Sequence, residues 1–423
     1  MNYQFPVIRH LDDVRPAIEG RDEFIIAERD WGYVVNYMVA MADTFPSTQV
    51  VDEMGFIQFD LWAAIRRECR GLLFYPDGRI MARRLHKFFN INERDETQFG
   101  AIDFTQPHVI LEKLDGSMIT PIVLNTVRDP RFAIVGATDP IMCAGDIRWG
   151  TKMGLTEVGM GAEEFVAAHP NYDEFVRWCI DYTGHTPIFE WCSRKQRIVV
   201  DYPEDRLVLI AVRETNSGKY CSLKWMQYYA GKYGVDVVKA YEGTAENMTQ
   251  LMEETKGSEG IEGWIIRFDD GHMLKIKGEW YVRIHKTKDN LTHEKNVIEL
   301  LISEKMDDAK AFMMDEDRKR VEAFETEFWE GIANEVANYD RYFGMVVASG
   351  LDRKRYALEW LPTVKDQDPF AGNIVFGKFD DKDTRKMVLD IISKNVGTQT
   401  KVDAVRSLWG GNARWAYHFN GDT

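Results

Sequence analysis

A lysine can capture a phosphoryl group only if it attacks as the uncharged amine. In Glu112-Lys113-Leu114-Asp115-Gly116-Ser117, Lys113 ends an apolar run and precedes an Asp-Gly pair. A free lysine has a pKa of about 10.4, so a nucleophilic one needs desolvation or positive charge nearby. Met273-Leu274-Lys275-Ile276-Lys277 offers that charge. With a side-chain period of two, Lys275 and Lys277 share one face of a strand, and Leu274 and Ile276 take the buried face. Such a pair could clamp a phosphate and neutralise a pentavalent phosphorus. Two carboxylates also stand out. Glu190 sits in the apolar run Pro187-Ile188-Phe189-Glu190-Trp191, where a lone acid is costly unless partnered. Glu262, in Glu259-Gly260-Ile261-Glu262-Gly263-Trp264, begins the strand that pairs with the lysine strand. A ribose hydroxyl would suit one and a divalent metal the other. Each feature has a plainer reading: an exposed amine at a turn, two surface lysines, acids answering basic neighbours. Taken as an isolated match, Lys113 favours the plainer one.

These groups need strands to position them. Gly71 to Tyr75 and Arg79 to Arg83 flank Pro76-Asp77-Gly78 and read as a hairpin, as do Gly263 to Phe268 and Met273 to Lys277 around Asp269-Asp270-Gly271-His272. Val109 to Leu114 and Leu207 to Val212 read as buried strands, and Val34 to Ala40, which carries Tyr37, as another. Glu163 to Ile180 looks helical, interrupted by Pro170. Gly154, Gly159 and Gly161 lack a strand-loop-helix context and read as loop glycines. From about Thr292, a candidate N-cap, the pattern turns helical. Asp315, Glu316 and Asp317 place negative charge at a helix start, and Val321, Phe324, Phe328, Ile332 and Val336 form an amphipathic stripe.

The 423 residues, 45% hydrophobic, allow two or three domains. No stretch approaches a membrane span, and Met1 to Asp13 has no apolar core of a secretory signal. Cys69, Cys143, Cys179, Cys192 and Cys221 form no CxxC pair, which disfavours a disulfide framework or a cysteine zinc site and fits a reducing cytosol. The net charge of −15 argues against nucleic-acid binding taken alone. Its distribution differs: Arg66, Arg67, Arg70, Arg79, Arg83, Arg84 and Lys87 form one basic stretch, and Lys275, Lys277, Arg283, Lys286 and Lys288 a second. They are either two solvated faces or a basic groove on an acidic body.

The order of these segments resembles the covalent nucleotidyltransferases, the superfamily of ATP-dependent ligases and RNA capping enzymes. Lys113-Leu114-Asp115-Gly116 matches the nucleophile motif KxDG. Phe189-Glu190, Leu207 to Arg213, Glu262-Gly263 and Leu274 to Lys277 resemble the segments that follow it in order. The chain is more closely similar to the phage RNA ligase 1 family of tRNA-repair ligases. That likeness adds Glu68-Cys69-Arg70-Gly71, Lys87-Phe88-Phe89-Asn90 and Trp280-Tyr281, and in the tail Val321 to Thr326 and Asp352 to Ala357. Spacing departs before Arg70 and over residues 360 to 423.

The resemblance implies an α+β fold: an ATP-grasp-like nucleotidyltransferase domain of antiparallel sheets, residues 1–288, then a mostly α-helical C-terminal domain, 289–423, as the reader of RNA or tRNA. It implies Lys113 as the nucleophile that forms lysyl-AMP, Arg70 and Lys87 on the ATP phosphates, Glu190 on the ribose, and Glu262 at the nucleotide and metal site. Lys275 and Lys277 would contact the α-phosphate, and Tyr281 would matter for ligation. Tyr37, in the ATP pocket, and Asp307, as a metal-associated acid, are weaker transfers. The implied cofactors are ATP and Mg2+, with Mn2+ as a substitute. The implied partner is RNA with 5′-phosphate and 3′-hydroxyl ends, and the setting is the cytoplasm, the host's if the chain is phage-encoded. A capping guanylyltransferase or DNA ligase would usually continue into an OB-fold barrel rather than helices. A non-catalytic RNA-binding module would not need the motif residues, which are all chemically intact.

Overall fold

The computed structural model describes residues 3–128 except 42 and 52, then 142–311, 313, 315–411 and 413–416. The chain divides into two compact units at Val282/Arg283.

In the first unit a five-stranded sheet runs in the order Ala240–Glu242, His108–Lys113, Gly263–Phe268, Met273–Lys277, Phe89–Asn90. Every pairing in it is antiparallel except the last. A four-stranded antiparallel sheet has the order Ile147–Gly150, Ser117–Val123, His185–Cys192, Arg206–Glu214. The two sheets pack face to face. Leu111, Ile265 and Met273 of the first meet Ile188, Val208 and Ala211 of the second. Helices cover the outer faces. Met248, which opens helix Met248–Gly257, packs on Ile266, Leu274 and Ile276. Phe175 and Met226, from helices Pro170–Arg177 and Leu223–Tyr233, pack on Phe189, Leu207 and Leu209. Burial on both faces explains why these strands read as near-continuous apolar runs. A third sheet, in the order Phe24–Arg29, Gly32–Tyr37, Arg70–Phe74, Ile80–Ala82, carries Tyr37 and Arg70.

The expected hairpins around Pro76-Asp77-Gly78 and Asp269 to His272 are both present. Pro170 interrupts the helical stretch as expected, and it also begins a second helix, Pro170–Arg177, after Glu157–Ala168, at a position where its missing N–H costs nothing. Other readings need correction. Gly159 and Gly161 lie in that first helix, not in a loop. A side chain at Gly159 would come within 2.2 Å of the Trp149 carbonyl, so the glycine permits close helix–strand contact.

The first basic stretch is not a continuous groove. Arg83, Arg84 and Arg213 are fully buried. Glu68 accepts bonds from Arg83 Nε at 3.0 Å and from Arg213 Nη1 and Nη2 at 2.9 and 3.0 Å. Burial alone would raise the Glu68 pKa, but Arg213 and Arg83 outweigh it and hold the carboxyl well below the usual range. Arg84 donates to Thr120 Oγ1 at 2.6 Å and the Gly150 carbonyl at 3.0 Å. Arg67 is buried against Glu96 at 2.5 Å, and exposed Arg79 pairs with Asp77. Arg83 and Arg84, which follow the third sheet, thus tie it to the four-stranded one.

The second unit is helical among its described residues. Helix Asp315–Ala348 buries Val321, Phe324, Phe328 and Ile332 against Val297, Ile298, Leu301, Ile374, Val388 and Trp409. Its three acids fall in the first turn, where the helix dipole favours them. The N-cap of helix Glu294–Ile302 is His293 rather than Thr292, whose hydroxyl instead donates to the Asp289 carbonyl at 2.6 Å. Within this unit Arg406 and Glu294 form a buried ion pair at 2.6 Å.

Candidate active site

The site lies at one end of the five-stranded sheet. Gly263 pairs with Lys113 on one side and Lys277 on the other, so the three form a single cross-strand row. Gly263 has φ +144°, and a Cβ there would lie 1.9 Å from the Ile276 carbonyl oxygen. Only glycine lets the strands close at this row. The preceding residue, Glu262, is 4% exposed, and its Oε1 receives Lys113 Nζ at 2.7 Å and Lys277 Nζ at 3.0 Å. The Lys113 side chain remains 18% exposed, within reach of a ligand.

The Leu114-Asp115-Gly116 turn is locked from below. Asp115 is buried, and its Oδ2 accepts backbone N–H bonds from Val199 and Val200, both at 2.7 Å. Its Oδ1 accepts from the Tyr281 hydroxyl at 2.7 Å, and its N–H donates to the Tyr202 hydroxyl at 2.8 Å. The aspartate therefore fixes the turn that follows Lys113, with both carboxylate oxygens engaged. At Gly116 a Cβ would meet the Trp191 carbonyl at 2.4 Å and Glu190 Cγ at 3.2 Å, so the turn lies directly against the strand that carries Glu190.

Lys275 is the electrostatic centre. Burial pushes its amine down to about 7, and Lys87, Arg70, Lys113 and Lys277 push the same way. Burial likewise lowers Lys87, reinforced by Arg70. Burial pushes Glu190 up to about 8, with Lys113 opposing and Glu262 assisting. Burial and the Glu262 and Asp115 carboxylates also raise the Tyr281 phenol. Lys87 Nζ stands 5.5, 5.6 and 5.4 Å from the ring centres of Tyr37, Phe45 and Phe89. Lys152 Nζ also stands 5.5 Å from the Tyr37 ring centre. Lys277 stands 5.1 Å from the Tyr281 ring.

Lys113, Arg70, Lys87, Glu190, Glu262, Lys275, Lys277, Tyr281 and Tyr37 thus fall together in the first unit. Asp307 lies in the second, with its side chain 91% exposed and paired to Lys310 at 3.3 Å. Among the described residues no cluster of three or more His, Cys, Asp or Glu could hold a metal by itself. Phe45, Lys152, Tyr202 and the backbone of Val199 and Val200 carried no signal in the sequence, because each reaches its partner through contacts distant along the chain.

A family described as RNA ligase matches residues 68–281, and one described as T4 RNA ligase 1, C-terminal domain matches residues 288–402. A Thermovibrio ammonificans protein named "Putative RNA ligase" is 27% identical over 283 residues, 65% of this chain and 63% of its own. The chain thus spans somewhat under two thirds of that relative. An archaeal ATP-dependent RNA ligase structure is 12% identical at TM-score 0.38, over 66% of this chain and 64% of its own. A Naegleria gruberi RNA ligase variant with ATP and Mn is 12% identical at TM-score 0.35, over 67% of this chain and 98% of its own. With adjoining matches along most of its length, the chain belongs to the phage RNA ligase 1 family.

Proposed function

We propose that the protein is an ATP-dependent RNA ligase that joins 5′-phosphate and 3′-hydroxyl ends through lysyl-AMP and RNA-adenylate intermediates. The observation that carries this reading is the convergence of Lys113, Lys277, Lys87 and Arg70 on the half-buried Lys275. So much positive charge in one partly buried place suits a polyphosphate.

In the first transfer Lys113 leaves the Glu262 carboxylate, gives up its proton to solvent and attacks the α-phosphorus of ATP. A P–N bond forms, the bond to the β-phosphate breaks, and pyrophosphate departs. Lys275 and Lys277 take the charge that develops on the α-phosphate oxygens, and Arg70 and Lys87 hold the departing phosphates. Tyr37 lies beside Lys87 at the nucleotide. Glu190 takes the ribose hydroxyls. In the second transfer an RNA 5′-phosphate oxygen attacks the lysyl-AMP phosphorus, and Lys113 leaves and regains a proton. In the third a 3′-hydroxyl attacks the RNA 5′-phosphorus, and AMP leaves. Alignment and charge neutralisation dominate, as in other phosphoryl transfers.

Magnesium fits this donor set, because it is commonly held by one or two carboxylates together with substrate phosphates. Glu262 would supply the carboxylate, and the ion would shield phosphate charge. Asp307 is a weaker candidate ligand. The helical unit as reader of tRNA, and tRNA repair in a cytoplasm as the setting, rest on family likeness. No helix among the described residues is long and apolar enough to cross a membrane.

The direct test is incubation with α-labelled ATP and magnesium. The native chain should acquire covalent label and Lys113→Ala should not. Label that persists in the variant removes Lys113 from the role. Sealing of a 5′-phosphorylated single-stranded oligoribonucleotide, compared with matching DNA and nicked duplex, tests the substrate class.

A further inference from the structure

The face of the Gly263–Phe268 strand that begins at the Lys113 row ends in a second polar place. Gly263, Ile265 and Arg267 share one face. Arg267 pairs with Val109 and Met273, four residues along from the Lys113 row, or about 13 Å at roughly 3.3 Å per residue. Leu111, Ile265, Ile210 and Val208 form an apolar layer between the two ends.

Arg267 is 4% exposed and lines a cleft of about 760 Å³. Among the described residues its one side-chain hydrogen bond is a weak contact from Nη1 to Met226 Sδ at 3.7 Å, and no carboxylate stands at ion-pair distance; Asp269 acts on it only through a longer-range field. The other buried arginines of this unit fare differently: Arg67, Arg83 and Arg213 have carboxylates, and Arg84 has carbonyls and a hydroxyl. A buried charge without a partner is expensive, and burial lowers the Arg267 guanidinium from its usual value. On the same cleft, His108 Nε2 is buried with no hydrogen-bond partner among the described residues, while Nδ1 contacts the Gln106 carbonyl at 2.8 Å.

We propose that this cleft binds a mononucleotide, with its phosphate on Arg267. The volume falls in the range of small-molecule and cofactor sites. Tyr241, 53% exposed, lines the cleft and offers a ring for a base to stack on. Glu242 and Asp269 line it as well and have no ion-pair partner among the described residues, so they can accept from ribose hydroxyls or a base amino group. Those two acids disfavour a track for a long polyanion and favour a ligand with one buried phosphate. The proposal does not depend on the ligase reading.

Titration with AMP tests it in a Lys275→Ala/Lys277→Ala background, where nucleotide binding at the Lys113 end is weakened. One class of AMP site should remain, and adding Arg267→Met should weaken it at least tenfold. Methionine keeps the volume and removes the unpaired charge, so the unliganded thermal midpoint should hold or rise. Should Arg267→Met fail to fold, Tyr241→Ala decides: it should lose affinity for AMP while keeping affinity for inorganic phosphate. A folded double variant that binds no AMP, AMP binding unchanged by both cleft substitutions, or phosphate binding as tight as AMP each overturns the proposal. A 5′-phosphorylated trinucleotide that binds as tightly as AMP assigns the cleft to strand ends, and failure to bind assigns it to free mononucleotide.

Discussion

Lys113 and Lys277 sit on opposite sides of Gly263 and reach the same oxygen of Glu262, at 2.7 and 3.0 Å. One carboxylate thus holds the proposed nucleophile and one of the proposed phosphate clamps in register before any nucleotide is present. The arrangement also means that the incoming triphosphate must compete with Glu262 for both ammonium groups.

Glu262→Gln keeps the shape of this contact and removes its charge. Transition-state groups of this kind are worth about 10²–10³ in rate, so lysine adenylation, followed by single-turnover labelling with α-labelled ATP, should slow by roughly that factor. A rate within twofold of native would show that the shared carboxylate does not position Lys113.

Glu190 and Lys275 predict opposite pH trends in stability. Glu190 is raised to about 8 by burial, so the folded state binds the extra proton between about 4.3 and 8. Its contribution is full at low pH and is lost as pH rises through 8. Lys275 is lowered to about 7 by burial and its cationic neighbours, so the unfolded state binds the extra proton between about 7 and 10.4. Its contribution is present at high pH and is lost as pH falls through 7. Denaturant unfolding across pH should therefore lose the decline below pH 8 in Glu190→Gln and the rise above pH 7 in Lys275→Met. Parallel native and variant curves would contradict both shifts.

ATP should restore the charge on Lys275, because a phosphate beside an amine favours its protonated form. Between pH 7 and 9, ATP binding should take up a proton that it does not take up in Lys275→Met. Calorimetry in buffers of different ionisation enthalpy reads this directly, and equal proton uptake in the two proteins would rule it out.

Tyr281→Phe removes one bond to Asp115 and leaves the two from Val199 and Val200. Hydrogen bonds to charged groups contribute about 1.5–3 kcal/mol, so the variant should lose stability by that amount in urea. If Asp115 orients Lys113, adenylation should also slow, and native kinetics at reduced stability would confine Tyr281 to a structural part in the first step.

Glu68→Gln leaves Arg83 and Arg213 buried without their shared carboxylate. Breaking a buried pair from one side costs about 3–5 kcal/mol. The unfolding midpoint should fall accordingly, and a change under about 1 kcal/mol would show that Gln satisfies both guanidinium groups.

The pattern of residues along the chain was enough to set the strands that carry Lys113, Lys275 and Lys277 and the long amphipathic helix of the tail. Both follow from local periodicity: alternation every two residues in one, every three to four in the other. The motif order was equally visible. What the local pattern could not decide was which charges face a ligand. Arg83, Arg84, Arg70 and Lys87 belong to one basic stretch of the sequence, yet the first two are fully buried and only the last two join Lys275. That division depends on Glu68 of the same stretch and on Thr120 and Arg213, which are remote in sequence and adjacent only after the sheets pack. Tertiary packing likewise fixed the sharing of Glu262, through a glycine whose absent side chain lets the strands of two lysines meet, because cross-strand register is a property of the assembled sheet and not of any one strand.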